Sequence, residues 1–152
     1  MQYVNIPVNF LTENRLNQLS VETRLIAYFL TTAPRINRIG LYHLPLSEIV
    51  RYTRLDPYYV NVALYNLEQM NFCRYDKVKE YVWISNFASW QDHHGSFELL
   101  LKNLPSLSFL NEFYRHYATF CYPSEAGNST MSIEYFRCTQ SMSNKKIQGE
   151  NP

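Results

Sequence analysis

Basic side chains recur through the middle of the chain, and their positive charge is suited to binding phosphate groups. They lie in short groups rather than in one run: Arg35, Arg38, Arg51, Arg54, Arg74, Lys77 and Lys79. The formal net charge is only +1, so the overall electrostatics do not favour a nucleic acid over other partners. A surface for a polyanion therefore has to come from local clustering in the fold.

Residue patterns for catalysis or metal binding are weak. His93 and His94 are adjacent, so they cannot share one face of a strand, and no cysteine or carboxylate stands at a recognised zinc spacing from them. The chain has no GxSxG, P-loop or HExxH motif. With only four glycines, a glycine-rich nucleotide-binding architecture is also disfavoured. The sequence predicts a protein that is not an enzyme and has no metal or cofactor.

The start of the chain lacks the basic and long apolar segments of a signal peptide. No stretch approaches the roughly 18 apolar residues that a membrane span needs. The cysteines Cys73, Cys121 and Cys138 are odd in number and far apart, which favours reduced thiols over a disulfide framework. We therefore expect a cytoplasmic protein that does not enter a membrane.

Two helices and a short strand are predicted in the first third of the chain. "LSVETRLIAYFLTTAP" predicts a helix with Ser20 at its N-cap and Pro34 at its end. "IGLYHL" predicts a short extended segment, and "PLSEIVRYT" a second helix. The apolar face of the first helix is Val21, Leu25, Phe29 and Ala33, with Ile26 and Leu30 beside them, and that of the second is Leu46, Ile49 and Val50.

A third helix is predicted by "DPYYVNVALYNLEQM", in which Asp56 is suited to the N-cap and Pro57 to the first helical position. Asn71 is suited to the left-handed conformation at its end. At about 100° per residue, the inward face is Val60, Ala63, Leu64 and Leu67. The opposite face is Tyr58, Asn61, Val62, Tyr65 and Gln69, with Asn66 at the margin.

The period then changes to that of strands. Residues 72–75 and 81–84 predict a β-hairpin joined by the polar turn "DKVKE". Helix, strand, helix, helix, hairpin is the order of a winged helix-turn-helix. We therefore expect a mainly α fold with a small β-hairpin wing over residues 1–91.

Further helices are predicted after the hairpin, in "FELLLKNL" and "SLSFLNEFYRHYATFCY". Residues 92–122 would thus form appended C-terminal helices, and residues 123–152, which have little periodicity, a flexible tail. An apolar stripe on the last helix favours dimer contact or packing within the chain over a ligand site. Its residues are Leu110, Phe113, Tyr114 and Tyr117, followed by Cys121.

In a winged helix, residues of the second helix, the following turn and the wing contact phosphates, while the third helix reads base edges. The basic residues named above fit the first role. Asn61 and Asn66 are suited to adenine, and Tyr58 and Tyr65 to phosphates or thymine methyls. Two other interpretations stay open: the basic residues only solvate the surface, or the tyrosine-rich face of the third helix binds a protein.

Residues 3–91 resemble the N-terminal domain of phage replisome-organiser proteins, which are related to DnaD-type primosomal initiators. The similar segments are "YVNIPVNFLTENRLNQLSVETRLIAYFLTTAPRINRIGLYHLPLSEIV" and "VALYNLEQMNFCRYDKVKEYVWISNFASWQ". The segment "TTAPRINRIGLYHLP" follows the family's linker and first strand closely. Two features depart from the family: Asn71 replaces the usual glycine after the third helix, and the outer face of that helix is rich in Tyr and Asn instead of Lys and Glu.

The resemblance implies a winged-helix domain that binds double-stranded DNA at a phage or mobile-element replication origin. It also implies self-association into a homo-oligomer and recruitment of a helicase or helicase-loader protein. A transcriptional regulator and a protein-interaction adaptor that has lost DNA binding are the alternatives.

Overall fold

A computed structural model describes residues 3–91 and 98–121 of the chain. The chain divides between Ser96 and Phe97 into two units. Within the described residues, the first unit contains helices α1 (Asn14–Asn17), α2 (Val21–Thr32), α3 (Leu46–Thr53) and α4 (Pro57–Gln69), strands β1 (Leu41–His43), β2 (Cys73–Asp76) and β3 (Tyr81–Ile84), and 3-10 helices at Phe10–Thr12 and Phe87–Trp90. The second unit contains α5 (Glu98–Lys102) and α6 (Leu110–Cys121).

The three strands form one antiparallel sheet with β3 in the centre, in the order β1-β3-β2. Val82 of β3 lies opposite Tyr42 on one side and Tyr75 on the other. The expected class, mainly α with a small β component, is confirmed. The extended segment and the hairpin were both predicted, but their pairing into a single sheet is a tertiary feature that neither pattern contains.

Helix α2 is correctly placed, and Ser20 caps it by accepting a hydrogen bond from the Thr23 amide at 3.2 Å. Its predicted apolar face is wrong in part. Val21 is 73% exposed and Leu25 39% exposed, whereas the buried residues are Thr23, Ile26, Ala27, Leu30 and Thr31. Because apolar residues lie on most sides of this helix, its sequence is compatible with the burial of more than one face. The two threonines tolerate burial because their hydroxyls are hydrogen-bonded close by on the chain.

Helix α4 begins and packs as expected. The Asp56 carboxylate accepts a hydrogen bond from the Tyr58 amide at 2.8 Å, and Pro57 is the first helical residue. Asn71, after the end of the helix, has a positive φ of 56°, the conformation for which asparagine is favoured. The predicted inward residues are all buried: Val60, Ala63, Leu64 and Leu67.

The linker between α2 and β1 is held in one conformation by Asn37 and Gly40. The Asn37 side chain accepts hydrogen bonds from the amides of Ile39 and Leu41 and donates one to the Leu41 carbonyl. Gly40 has a φ of +69°, and a Cβ there would lie 2.6 Å from the Cβ of Phe87. A larger residue is therefore excluded both by backbone conformation and by space.

The two ends of the first unit are joined by a side-chain amide. Gln91 accepts a hydrogen bond from the Asn5 amide and donates one to the Asn5 carbonyl, both at 3.0 Å. Trp90 packs edge-on against Phe10 nearby, with ring centroids 5.7 Å apart. The extended start of the chain is therefore part of the folded unit.

In the second unit, α6 begins at Leu110, four residues after the start of the predicted helix at Ser106. On the predicted apolar stripe Phe113 and Tyr114 are buried, and Leu110 and Tyr117 are half-buried. The rings of Phe113 and Tyr117 stack with centroids 5.6 Å apart. The role of this stripe as a dimer contact stays a prediction. The expected tail, residues 123–152, and the His93–His94 pair lie outside the described residues.

Candidate nucleic-acid interface

The tip of the β2–β3 hairpin, residues 77–80, presents two lysines on a backbone with many hydrogen bonds. The buried Asp76 carboxylate accepts hydrogen bonds from the amides of Val78 at 3.0 Å and Lys79 at 2.9 Å. The Glu80 amide donates to the Asp76 carbonyl at 2.7 Å. Lys77 and Lys79 are exposed, and Val78 between them is 86% exposed. The turn therefore holds two cations outward on a fixed backbone.

Arg51 and Arg54 lie at the end of α3 and in the turn before α4, as expected. Both are exposed. The Arg51 guanidinium lies 5.7 Å from the centre of the Tyr52 ring, which leaves its outer side accessible. Arg54 has a φ of 61° and donates its backbone N–H to the Val50 carbonyl, so the residue that ends α3 is itself one of the candidate phosphate contacts.

Arg35 lies beside His43, which pairs with Tyr81 at the tip end of the hairpin. Its guanidinium is 3.8 Å from the Glu48 carboxylate and 3.5 Å from Nδ1 of His43, and the His43 ring packs against Tyr81 of β3. The Arg35 side chain is 57% exposed and that of Glu48 only 17% exposed, so the guanidinium remains accessible to a phosphate from its outer side. Arg38, further along the linker, is exposed.

The outer face of α4, formed by Tyr58, Val62, Tyr65 and Gln69, carries no charge. Tyr58 is 68% exposed and Tyr65 59% exposed. This is a neutral, aromatic surface between two groups of arginine and lysine in the sequence.

Asn61 and Asn66 are less available than the sequence indicated. Both are half-buried. The Asn61 amide donates to the Pro57 carbonyl at 2.8 Å, so one of its two N–H groups is already used within the helix. A bidentate contact with adenine needs one N–H and the oxygen of the amide, so this bond leaves Asn61 a single N–H for such a contact.

Arg74 belongs to the packing between α4 and the hairpin. Its guanidinium donates to the carbonyls of Glu68 and Cys73 at 3.0 and 3.1 Å and to the Asn71 side chain at 2.9 Å. The Glu68 carbonyl and the Asn71 side chain lie at the end of α4, where the Glu68 carbonyl also accepts from the Asn71 amide, and Cys73 begins β2. Arg74 was expected on the surface of the wing; its half-buried position assigns it to the frame that holds the hairpin.

Two glutamates that the sequence analysis did not select join the hairpin to the helices. The Glu68 carboxylate accepts a hydrogen bond from the Tyr75 amide on the edge of β2 at 2.8 Å. The Glu80 carboxylate accepts one from the Leu46 amide at 3.1 Å. Glu80 and Leu46 are 34 residues apart, so no local pattern could have revealed their bond, whereas Glu68 and Tyr75 are only seven residues apart.

The hairpin base also contains groups that burial keeps neutral. Cys73 is fully buried, and its pKa is raised by that burial and then by the nearby Glu68 carboxylate. Burial likewise raises the pKa of Tyr75, whose hydroxyl donates to the Leu44 carbonyl at 2.9 Å. A thiol of this kind is a packing group and a poor nucleophile.

Residues 3–91 and 98–121 contain no group of three or more His, Cys, Asp or Glu side chains arranged to hold a metal ion. Within the same residues, no helix combines the length and apolar character needed to cross a bilayer. Comparison of the chain with protein-family models, curated proteins and solved structures finds no match.

Proposed function

We propose that the first unit is a winged helix-turn-helix domain that binds double-stranded DNA. In this assignment α3 and α4 are the helix-turn-helix, α4 is the recognition helix, and the β2–β3 hairpin is the wing. The order of elements and the pairing of β1 with the hairpin are those of this fold.

The observation that carries the proposal is the lysine-bearing hairpin tip, fixed to the same frame as an exposed α4. Lys77 and Lys79 point outward from a hydrogen-bonded turn, and Glu80 ties that turn to the start of α3. Phosphate contacts fix the register and orientation of a protein on a duplex. A cationic hairpin held against the helix-turn-helix has the chemistry for this task.

The proposed division of labour follows from charge and exposure. Arg35, Arg51, Arg54, Lys77 and Lys79 contact phosphates, while Arg74 is left out because its guanidinium packs against the end of α4. Tyr58, Tyr65 and Asn66 face the groove and contact bases or sugar. The lack of charge on the outer face of α4 is then tolerable, because neighbouring elements supply the cations.

The resemblance of residues 3–91 to replisome organisers supports replication initiation in a phage or mobile element as the biological role. On this proposal the protein acts in the cytoplasm, assembles into a homo-oligomer on origin DNA and recruits a helicase or its loader. A transcriptional regulator would use the same DNA-binding surface, and an assay of origin unwinding separates the two.

A protein-interaction adaptor is the second candidate, favoured by the outer face of α4. Tyrosine is enriched in protein interfaces and lysine is depleted, and Tyr58, Val62 and Tyr65 present exposed apolar area without a cation. In this alternative the hairpin lysines keep the tip hydrated and contact no phosphate.

Fluorescence anisotropy with a labelled duplex at several salt concentrations tests the proposal. We expect the logarithm of the binding constant to fall linearly with the logarithm of the salt concentration, with a slope near −0.9 per phosphate contact. A fourfold substitution should abolish binding with little change in the denaturation midpoint. It replaces Arg51, Arg54, Lys77 and Lys79 with glutamate.

The control is glutamate at Arg15, an exposed cation of the first unit that is not part of the proposed surface, and this variant should retain most of the affinity. If the wild-type protein shows no salt-dependent binding, the DNA proposal fails and the adaptor is favoured. If the fourfold variant binds as tightly as the control, the proposed surface is wrong.

A further inference from the structure

Glu80, at the end of the hairpin tip, makes three hydrogen bonds, of which one closes the tip and two reach residues at and just before the start of α3. Its amide donates to the Asp76 carbonyl, and its carbonyl accepts from the Leu44 amide, both at 2.7 Å. Its carboxylate accepts from the Leu46 amide at 3.1 Å. The residue adopts a positive φ of 56°, a conformation that costs energy for a residue with a Cβ. The surrounding bonds therefore hold it there.

The Glu80 carboxylate supplies a hydrogen-bond acceptor at the N-terminus of α3. The first amides of a helix have no partner within the helix, and Pro45, the N-cap residue of α3, provides no side-chain cap. A negative group is stabilising at this position because of the helix dipole. Glu80 thus caps a helix 34 residues before it in the sequence, so the cap is also a link between the hairpin and the helix-turn-helix.

We propose that Glu80 is a positioning residue that holds the hairpin tip against α3, so that Lys77 and Lys79 reach the same duplex as α4. The DNA part of this inference rests on the proposed function; the positioning part concerns the free protein. Without the carboxylate bond, the tip keeps the main-chain bond from the Leu44 amide and the pairing of β3 with β1, but it loses its side-chain link to the first amide of α3. Cations on a tip that is held less firmly against α3 lose part of the fixed geometry that a joint contact needs.

Two substitutions distinguish the effect of losing the Glu80–Leu46 hydrogen bond from the effects of losing the negative charge and of backbone strain. Glu80→Gln keeps an acceptor oxygen at the same reach, whereas Glu80→Asn is one methylene shorter and cannot reach the Leu46 amide. Both remove the same charge, and asparagine tolerates the left-handed conformation. The pair differs in the reach of the side-chain oxygen, and the left-handed backbone is easier for asparagine than for glutamine, so backbone strain cannot explain a looser tip in Glu80→Asn.

In the free protein, backbone ¹⁵N heteronuclear NOE values report the order of the tip. We expect wild-type values at Lys77, Val78 and Lys79 in Glu80→Gln and lowered values at the same residues in Glu80→Asn. Trp83 in β3 should keep its value in both variants. Equal values at the tip in the two variants would overturn the positioning role.

On duplex DNA, we expect the salt slope of Glu80→Gln to match the wild type. The slope of Glu80→Asn should be shallower by up to about 1.8, the share of two phosphate contacts. A loosened tip with an unchanged slope would overturn the claim that Glu80 serves DNA contact. Absence of salt-dependent binding by the wild type would count against the proposed function, and the NOE comparison would still decide whether Glu80 positions the tip.

Discussion

The hairpin tip and the outer face of α4 reach the solvent with opposite chemistry. The tip carries Lys77 and Lys79 on a turn whose amides are bonded to Asp76. The face of α4 carries Tyr58, Val62, Tyr65 and Gln69 and no charge. One surface is cationic with little apolar area apart from Val78, and the other is aromatic and neutral.

On the proposed function, this difference places affinity and discrimination on separate elements. Lysine contacts to phosphate are insensitive to sequence and depend strongly on salt. Tyrosine contacts are shape-dependent and insensitive to salt, whether the partner is DNA or protein. Variants of the two regions should therefore differ in the kind of effect, as well as in its size.

The largest expected effect is a loss of stability in the unit that carries both the hairpin tip and α4. Gly40→Ala should lower the free energy of unfolding by about 2–5 kcal/mol, the sum of a left-handed backbone cost and the contact with Phe87. Urea denaturation followed by far-UV circular dichroism measures this change. A loss below about 1 kcal/mol would mean that the linker does not constrain the frame.

The next prediction compares the two regions directly. Replacing Lys77 and Lys79 with glutamine should make the salt slope shallower by about 1.8. Replacing Tyr58 and Tyr65 with alanine should leave the slope unchanged but lower discrimination between duplexes by about 1 kcal/mol. Anisotropy titrations of two unrelated duplexes measure both quantities. A slope change in the tyrosine variant, or none in the lysine variant, would contradict the separation of roles.

High pH should destabilise the junction between the two regions. The unfolded Cys73 thiol titrates near pH 9.0, while burial raises its pKa in the folded protein. Above that pH the unfolded state binds fewer protons than the folded state, so stability is retained below pH 9 and falls above it. The slope approaches about 1.4 kcal/mol per pH unit for this group. Urea midpoints between pH 8 and 10 should fall less steeply in Cys73→Ala, and equal slopes would argue against a raised pKa.

The smallest effect concerns the cation that ends α3. Arg54→Gly relieves a positive φ but makes the unfolded chain more flexible, so the free energy of unfolding should rise by at most about 1 kcal/mol. The salt slope should become shallower by about 0.9. An unchanged salt slope would mean that Arg54 does not contact a phosphate. It would not contradict the contacts proposed for Lys77 and Lys79 at the hairpin tip.

The sequence predicts α4 well because its signals are local. Asp56, Pro57 and Asn71 each act on the backbone near them, and one apolar face allows one orientation of the helix. Helix α2 is different: Val21 and Leu25 are exposed and Thr23 and Thr31 are buried, because a helix that is apolar on most sides is oriented by what packs against it.

The candidate site divides in the same way. Residue type and order alone placed Lys77, Lys79, Arg51 and Arg54 at a turn and at a helix end, since these positions depend on neighbours within a few residues. Only the tertiary structure turned Arg74 back toward the end of α4, six residues before it, and linked Glu80 to Leu46, 34 residues before it, because both bonds depend on how the hairpin packs against the helices. The sequence determined which side chains carry charge; packing between distant elements decided which of them face the solvent.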